Sequence, residues 1–149
     1  MAVTYTELSS LDAFTYGDDL RKLYAEFSGA PCRITNQQFH DCLENENSII
    51  IAAKIGGIPG RLIGVASLHI IHGMRKTIGN VHDVVVLEEF QGQGIGKILM
   101  GNIIQFAREA GVQELHLTSH PKRISANILY QSLGFDKRET NVYCLTLRK

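Results

Sequence analysis

The sequence has no surplus of either charge: 15 Lys and Arg stand against 15 Asp and Glu, a formal net charge of zero. A general nucleic-acid binder draws its affinity from excess cations that neutralise phosphates, so the balance argues against that class, although a local basic site stays possible. Cysteine is scarce. Cys32, Cys42 and Cys144 form no CxxC pair and are odd in number, which argues against a disulfide framework and for ordinary thiols in a reducing cytoplasm. Long hydrophobic runs are missing too. The strongest, Ile49-Ile50-Ile51-Ala52-Ala53, is far too short to span a bilayer. The opening residues Met1-Ala2-Val3-Thr4-Tyr5 have neither the basic region nor the apolar stretch of a secretory signal. His69 and His72 hint at a metal, but no closed ligand set of known spacing accompanies them. Repeats, low-complexity tracts and linkers are also lacking. What is present is a chain of 149 residues, 44% hydrophobic, expected to form one cytoplasmic domain over residues 1–149 with a core of useful size.

The periodicity divides that domain. Val3 to Leu8 alternates weakly, as a first strand would. Asp12 to Phe27 carries Leu20, Leu23, Tyr24 and Phe27 at helical spacing, and Gly29-Ala30-Pro31 ends it. Thr35 is an N-cap with Gln38 as its capping-box partner, opening a helix to about Glu46. Ser48 to Ile55 and Arg61 to Ile71, joined across Gly56 to Gly60, read as a hairpin. Thr77 to Leu87 is a third strand, ending in Val84-Val85-Val86-Leu87, an apolar run expected in mid-sheet. A long helix then carries Ile95, Leu99, Ile103, Phe106 and Ala110 on one face, with Gly111 as its stop. Val112 to Ser119 alternates as a strand, Ser125 to Leu133 is a helix ended by Gly134, and Asn141 to Leu147 is a last strand. The order β-α-α-β-β-β-α-β-α-β predicts an α/β (α+β) sheet protein with helices packed on its faces.

Between the apolar strand and the long helix lies Gln91-Gly92-Gln93-Gly94-Ile95-Gly96-Lys97. A helix N-terminus offers unpaired N–H groups and the positive end of the macrodipole. Glycines let a backbone approach an anion closely, and Lys97 adds a cation, so the stretch is suited to a pyrophosphate. It is not a Walker A loop, because Gln91 and Ile98 stand where Gly and Ser or Thr are required. It is not a dinucleotide fingerprint, because Lys97 stands at the third glycine.

Gln91, Gly94 and Gly96 fill the pattern Gln/Arg-x-x-Gly-x-Gly/Ala, and here the chain resembles the GNAT superfamily of N-acetyltransferases. Val84 to Phe90 looks like that family's fourth strand running into its pyrophosphate loop. Ala126-Asn127-Ile128-Leu129-Tyr130-Gln131-Ser132-Leu133-Gly134-Phe135 is similar to the Ala-x-x-Leu-Tyr-x-x-x-Gly-Phe signature of its last helix. The resemblance covers nearly the whole chain and implies a GNAT fold, a mixed, mostly antiparallel sheet with helices on both faces. It implies acetyl-CoA as co-substrate and direct transfer of its acetyl group to a primary amine in a ternary complex.

Carried over by residue, the resemblance implies that pantetheine amides pair with the backbone of Val84, Val85 and Val86, where an N–H can also polarise the thioester carbonyl. It implies that the pyrophosphate rests on Gly92, Gln93, Gly94, Ile95, Gly96 and Lys97, beside Gln91. Tyr130 matches the tyrosine that protonates the departing thiolate. Asn127 is a further cofactor candidate, although many relatives place that asparagine where this chain has Arg123. No motif fixes the base that deprotonates the amine. His82 and Asp83, expected on opposite faces of their strand, are the first choices; His116 and His120, on one face of the next strand, and a water chain are others.

The acceptor is expected to be a small-molecule amine, with a peptide amine next. An amino-sugar phosphate is a further option, since His82 to Val86 looks like the fourth strand of glucosamine-6-phosphate N-acetyltransferases, but Gln91 replaces that group's basic residue. No metal, nucleic acid or membrane partner is expected, and a homodimer is possible. A non-catalytic CoA-binding or regulatory module is the rival reading.

Overall fold

The computed structural model describes residues 2–148. They fall into two compact units, one up to Leu117 and one from Thr118 onward.

The first unit is a five-stranded sheet in the order β1 (Thr4–Glu7), β2 (Ser48–Ile55), β3 (Arg61–His72), β4 (Thr77–Val86), β5 (Glu114–His116). The first three pairings are antiparallel and β4–β5 is parallel. Helix α1 (Asp12–Ser28) ends where Gly29 takes the left-handed conformation, φ 74°, and donates its N–H to Ala25, as a side-chain-free residue does most readily. Helix α2 (Asn36–Glu44) opens on the capping box of Thr35 and Gln38, both reciprocal bonds being formed. It ends two residues before the expected Glu46. Helix α3 (Ile95–Glu109) follows the glycine loop, and Gly111 turns the chain behind it at φ 76°.

Strand alternation decides which face each helix covers. A Cβ at Gly64 would lie 3.2 Å from Leu99 Cδ1 of α3, so Gly64, Ala66 and Leu68 face α3. Residues Val65, Ser67 and His69 face the other way, where Tyr24 of α1 hydrogen-bonds Ser67. Helices on both faces of a mixed, mostly antiparallel sheet were expected, and that is the arrangement of this unit. Its core is Leu20 and Leu23 of α1, Leu62, Ile63, Val65 and Leu68 of β3, and Leu99, Met100 and Ile103 of α3, all with less than 2% exposure.

The second unit contains helix α4 (Ile124–Ser132), ended by Gly134 at φ 99°. Two expectations are corrected. The strand predicted for Val112 to Ser119 shrinks to Glu114–His116, the stretch that pairs with β4 over Ile78 to Asn80. The last strand predicted for Asn141 to Leu147 does not form. Its alternation is real, but a strand needs a ladder partner for its N–H and C=O groups, and no strand is present among the described residues of this unit. Val142, Tyr143, Leu145 and Leu147 are accordingly exposed.

Leu99 has no exposed surface and lies against the sheet at Gly64. Leu99→Ala is expected to lower the unfolding free energy by about 2–5 kcal/mol through lost burial and a residual cavity. The shift of the urea unfolding midpoint measures it.

Candidate functional site

The site starts from what β4 does with its two edges. Toward β3 it is paired along its length, from Thr77 with His72 to Val86 with Gly64. Toward β5 the pairing stops after Asn80. From there to its end β4 has no strand partner on that side among the described residues, a gap in the ladder. The Leu87 N–H donates to Ile63 O at 2.9 Å, so by alternation Val85 also spends its amide and carbonyl on β3, while Val86 turns toward the gap. There the Gln91 side-chain amide donates to Val86 O at 2.9 Å. Of the three valines expected to face a pantetheine arm, Val85 is thus committed to the ladder, and Val86 keeps its N–H on the gap side.

A bulge sits in the same stretch. Ser67 pairs with His82 and Val65 with Val85, so Asp83 and Val84 together oppose Ala66. Asp83 absorbs the extra residue at φ 52°, the one positive φ among the described non-glycine residues. Strained backbone of this kind is retained where surrounding structure enforces it. The expectation that His82 and Asp83 point to opposite faces rested on regular alternation, which the bulge breaks. The Asp83 carboxylate acts on both His69 and Tyr24, on the face that carries His82.

Register gathers further polar groups on that face. His82 lies opposite Ser67, Asn80 opposite His69 on one side and His116 on the other, and Ser48 opposite His69. The His69 and His82 rings meet at 5.3 Å between centroids, tilted by 56°. His69 Nδ1 bonds Ser48 Oγ at 3.1 Å. Burial, and then the neighbouring His82, push the His69 pKa down, with Asp83 acting against them. Tyr24 is shifted upward, chiefly by burial; its bond to Ser67 opposes the shift and Asp83 adds to it. Ser67 is itself only 3% exposed, a buried hydroxyl satisfied by that phenol. His116 Nε2 is 3.0 Å from Glu114 Oε1, whose other oxygen takes the Lys76 ammonium at 2.6 Å. His120 does not share a strand face with His116, because β5 has ended; its Nδ1 accepts from Lys122 N–H at 3.0 Å.

Beyond β4, a single 3-10 turn (Glu88–Phe90) leads into the loop. Gly92 and Gly94 have φ values of 78° and 80°, and a Cβ at either would meet nothing within 4 Å. Backbone conformation therefore selects glycine there. Gly94 is the N-cap of α3 and has no side chain with which to cap it, so the first N–H groups of the helix face outward without an internal partner. Lys97 is exposed beside them. Backbone N–H groups and a lysine thus stand at one helix end, as an anion requires.

In the second unit Tyr130 is buried at 6% exposure, its ring 6.1 Å from Phe135 in edge contact. Burial raises its pKa and Arg123 opposes the shift. Asn127, expected to contact a cofactor, uses its side-chain amide to bond His120 O at 3.1 Å. Ser119 Oγ is buried without a hydrogen-bond partner among the described residues. No group of three or more His, Cys, Asp or Glu among them is placed to hold a metal, and no described helix is long and apolar enough to cross a membrane. Ser67 and Tyr24 escaped the sequence reading of the site, and His69 entered it only as a hint of a metal. The alternation of Ser67 with His69 was visible, but their partner across the ladder follows only from register.

A strand that parts from its neighbour and runs into a glycine loop at a helix N-terminus fits one family in particular. The chain belongs to the acetyltransferase (GNAT) family, whose model matches residues 14–135. It is 33% identical over 95 residues to the uncharacterized N-acetyltransferase ycf52 of Pyropia yezoensis, covering 64% of this chain and 51% of that one. It is 34% identical over 83 residues to the glucosamine 6-phosphate N-acetyltransferase of Trypanosoma brucei brucei, covering 54% of each. Against the human N-acetyltransferase 8 the identity is 40% over 60 residues, covering 40% of this chain and 26% of the relative. The chain thus spans about a quarter to a half of the length of these relatives. The fold is shared with an aminoglycoside acetyltransferase from an uncultured soil metagenomic sample, solved with sisomicin, at a TM-score of 0.83, 18% identity and coverage of 99% and 97%.

The left-handed backbone at Asp83 gives a direct test. Asp83→Gly is expected to exceed Asp83→Ala in unfolding free energy by about 1 kcal/mol, since alanine alone pays the Cβ clash at positive φ. Parallel urea titrations of the two variants measure the difference.

Proposed function

We propose that this chain, as one acetyltransferase domain, moves the acetyl group of acetyl-CoA to a primary amine of a small molecule in a ternary complex. The observation that carries the reading is the open edge of β4 leading into the uncapped N-terminus of α3. The residues present suit the co-substrate. Gly92 to Lys97 hold the pyrophosphate with backbone N–H groups and the Lys97 cation. Val84 and the Val86 N–H bind amides along the gap. Once bound, acetyl-CoA supplies an activated acetyl thioester. Family membership across residues 14–135 supports the single-domain reading, and the substrates named for the trypanosomal and metagenomic relatives support a small amine.

The chain's own chemistry lies in its protons. His82, exposed on β4, takes a proton from the amine. Tyr130 is the general acid toward sulfur: no described residue accepts from its hydroxyl, and burial keeps the phenol protonated.

Calorimetric titration with acetyl-CoA is expected to give micromolar binding. Absence of binding, repeated with a pool of amines present, would sink the reading. Tyr130→Phe is expected to lower kcat by about 100-fold or more with acetyl-CoA affinity retained; unchanged turnover removes Tyr130 from the role of acid. Because the Tyr130 pKa is raised, wild-type kcat is expected to hold on the alkaline side until the pH passes the ordinary tyrosine value of about 10. A pH profile of thiol release checks this.

A further inference from the structure

We infer that His69 is a positioning residue for the proton acceptor His82, the two imidazoles forming one unit that binds a single proton. This rests on the reading of His82 as the base. Geometry carries the rest. The rings sit on the same face of adjoining strands, 5.3 Å apart between centroids. His82 is exposed, where an acceptor can reach it, and His69 is half-buried behind it. His69 is fixed from the far side by Ser48 Oγ at 3.1 Å.

The pair has few neighbours that bear charge. Asp83 faces it from β4 and Ser48 from β2. Tyr24 faces it from α1 across Ser67, with Cys32 and Cys42 acting in turn on Tyr24. His116 lies one strand further on the same face and is tied to Glu114. Among the described residues, Asp83 is the carboxylate that acts on His69. Two adjacent imidazolium charges repel, so the first proton opposes the second. Burial and His82 both depress His69, which leaves the exposed ring to carry the proton and the inner ring to stay neutral and hold it in place.

The reaction needs a site of this kind. An acceptor ammonium gives one proton to the pair and attacks as the neutral amine. As the C–N bond forms and the C–S bond breaks, sulfur takes a proton from Tyr130, and the second proton shed by nitrogen passes through water to the tyrosinate and restores the phenol. The sum is one amide, one thiol and one proton released to water. A pair that binds one proton at a time discharges it between turnovers, while a lone ring held loosely at the surface would lose the orientation that proton transfer demands.

The test is a pH titration by NMR of the imidazole Cε1–H signals in the full chain, for wild type, His82→Gln and His69→Phe. No acceptor need be known. Removing His82, which is exposed and leaves the core intact, is expected to raise the His69 midpoint toward the ordinary value. The wild-type rings are expected to titrate in two linked steps, and His82 in His69→Phe in one. A His69 midpoint unmoved by His82→Gln, or two independent single steps in wild type, overturns the pair. Thiol release from acetyl-CoA with sisomicin as the probe amine, run on the same variants, tests the base separately. Turnover retained in His82→Gln beside linked titration would remove His82 as base while leaving the pair intact.

Discussion

Along one edge β4 is bonded to β3 from Thr77 to Val86; along the other it is bonded to β5 only from Ile78 to Asn80. A buried strand with unpaired amides is costly, so whatever satisfies that second edge is set by the first. The bulge at Asp83 and Val84 marks the departure. It twists the strand, turns Val86 toward the gap, and carries the chain into the glycine loop. The helix N-terminus, the gap and the histidine face all follow from where the second ladder ends.

The two faces of the same strand then divide the work. Toward α3 the sheet is aliphatic and close-packed: a Cβ at Gly79 would come within 2.7 Å of Leu68 Cδ1 and 2.8 Å of Leu115 Cδ2. Toward α1 it carries Ser67, His69, Asn80 and His82, with the Tyr24 phenol closing over Ser67. Buried polar groups must find partners or cost stability. Ser67 does so with Tyr24 and His69 with Ser48, while His82 and Asp83 meet solvent.

Legibility followed the range of the interactions. The capping box of Thr35 and Gln38, the stop at Gly29, the hairpin between β2 and β3 and the glycine loop all depend on residues a few positions apart, and each was readable. The length of β5 and the loss of a strand over Asn141 to Leu147 depend on whether a distant edge is offered, which alternation cannot report. The bulge was hidden for the same reason, since nothing in His82-Asp83-Val84 announces a positive φ. With it went the relation of His69 to His82: both residues were noticed, but as members of separate strands, and only the ladder brings their rings together. The family motif named the loop, yet gave no sign that Gln91 would fasten back onto Val86.

An unpaired strand edge is also a hazard, because it offers a template on which another chain can add. Here the hazard and the opening are the same stretch of backbone. The bulge at Asp83 bends the strand out of the plane an incoming strand would need, and the Gln91 side chain already occupies the carbonyl of Val86. A flat chain seeking a continuous ladder meets curvature and then a blocked acceptor, whereas a slender ligand requires only one or two amides. The irregularity of β4 thus acts as a filter on shape, keeping an exposed edge soluble without closing it.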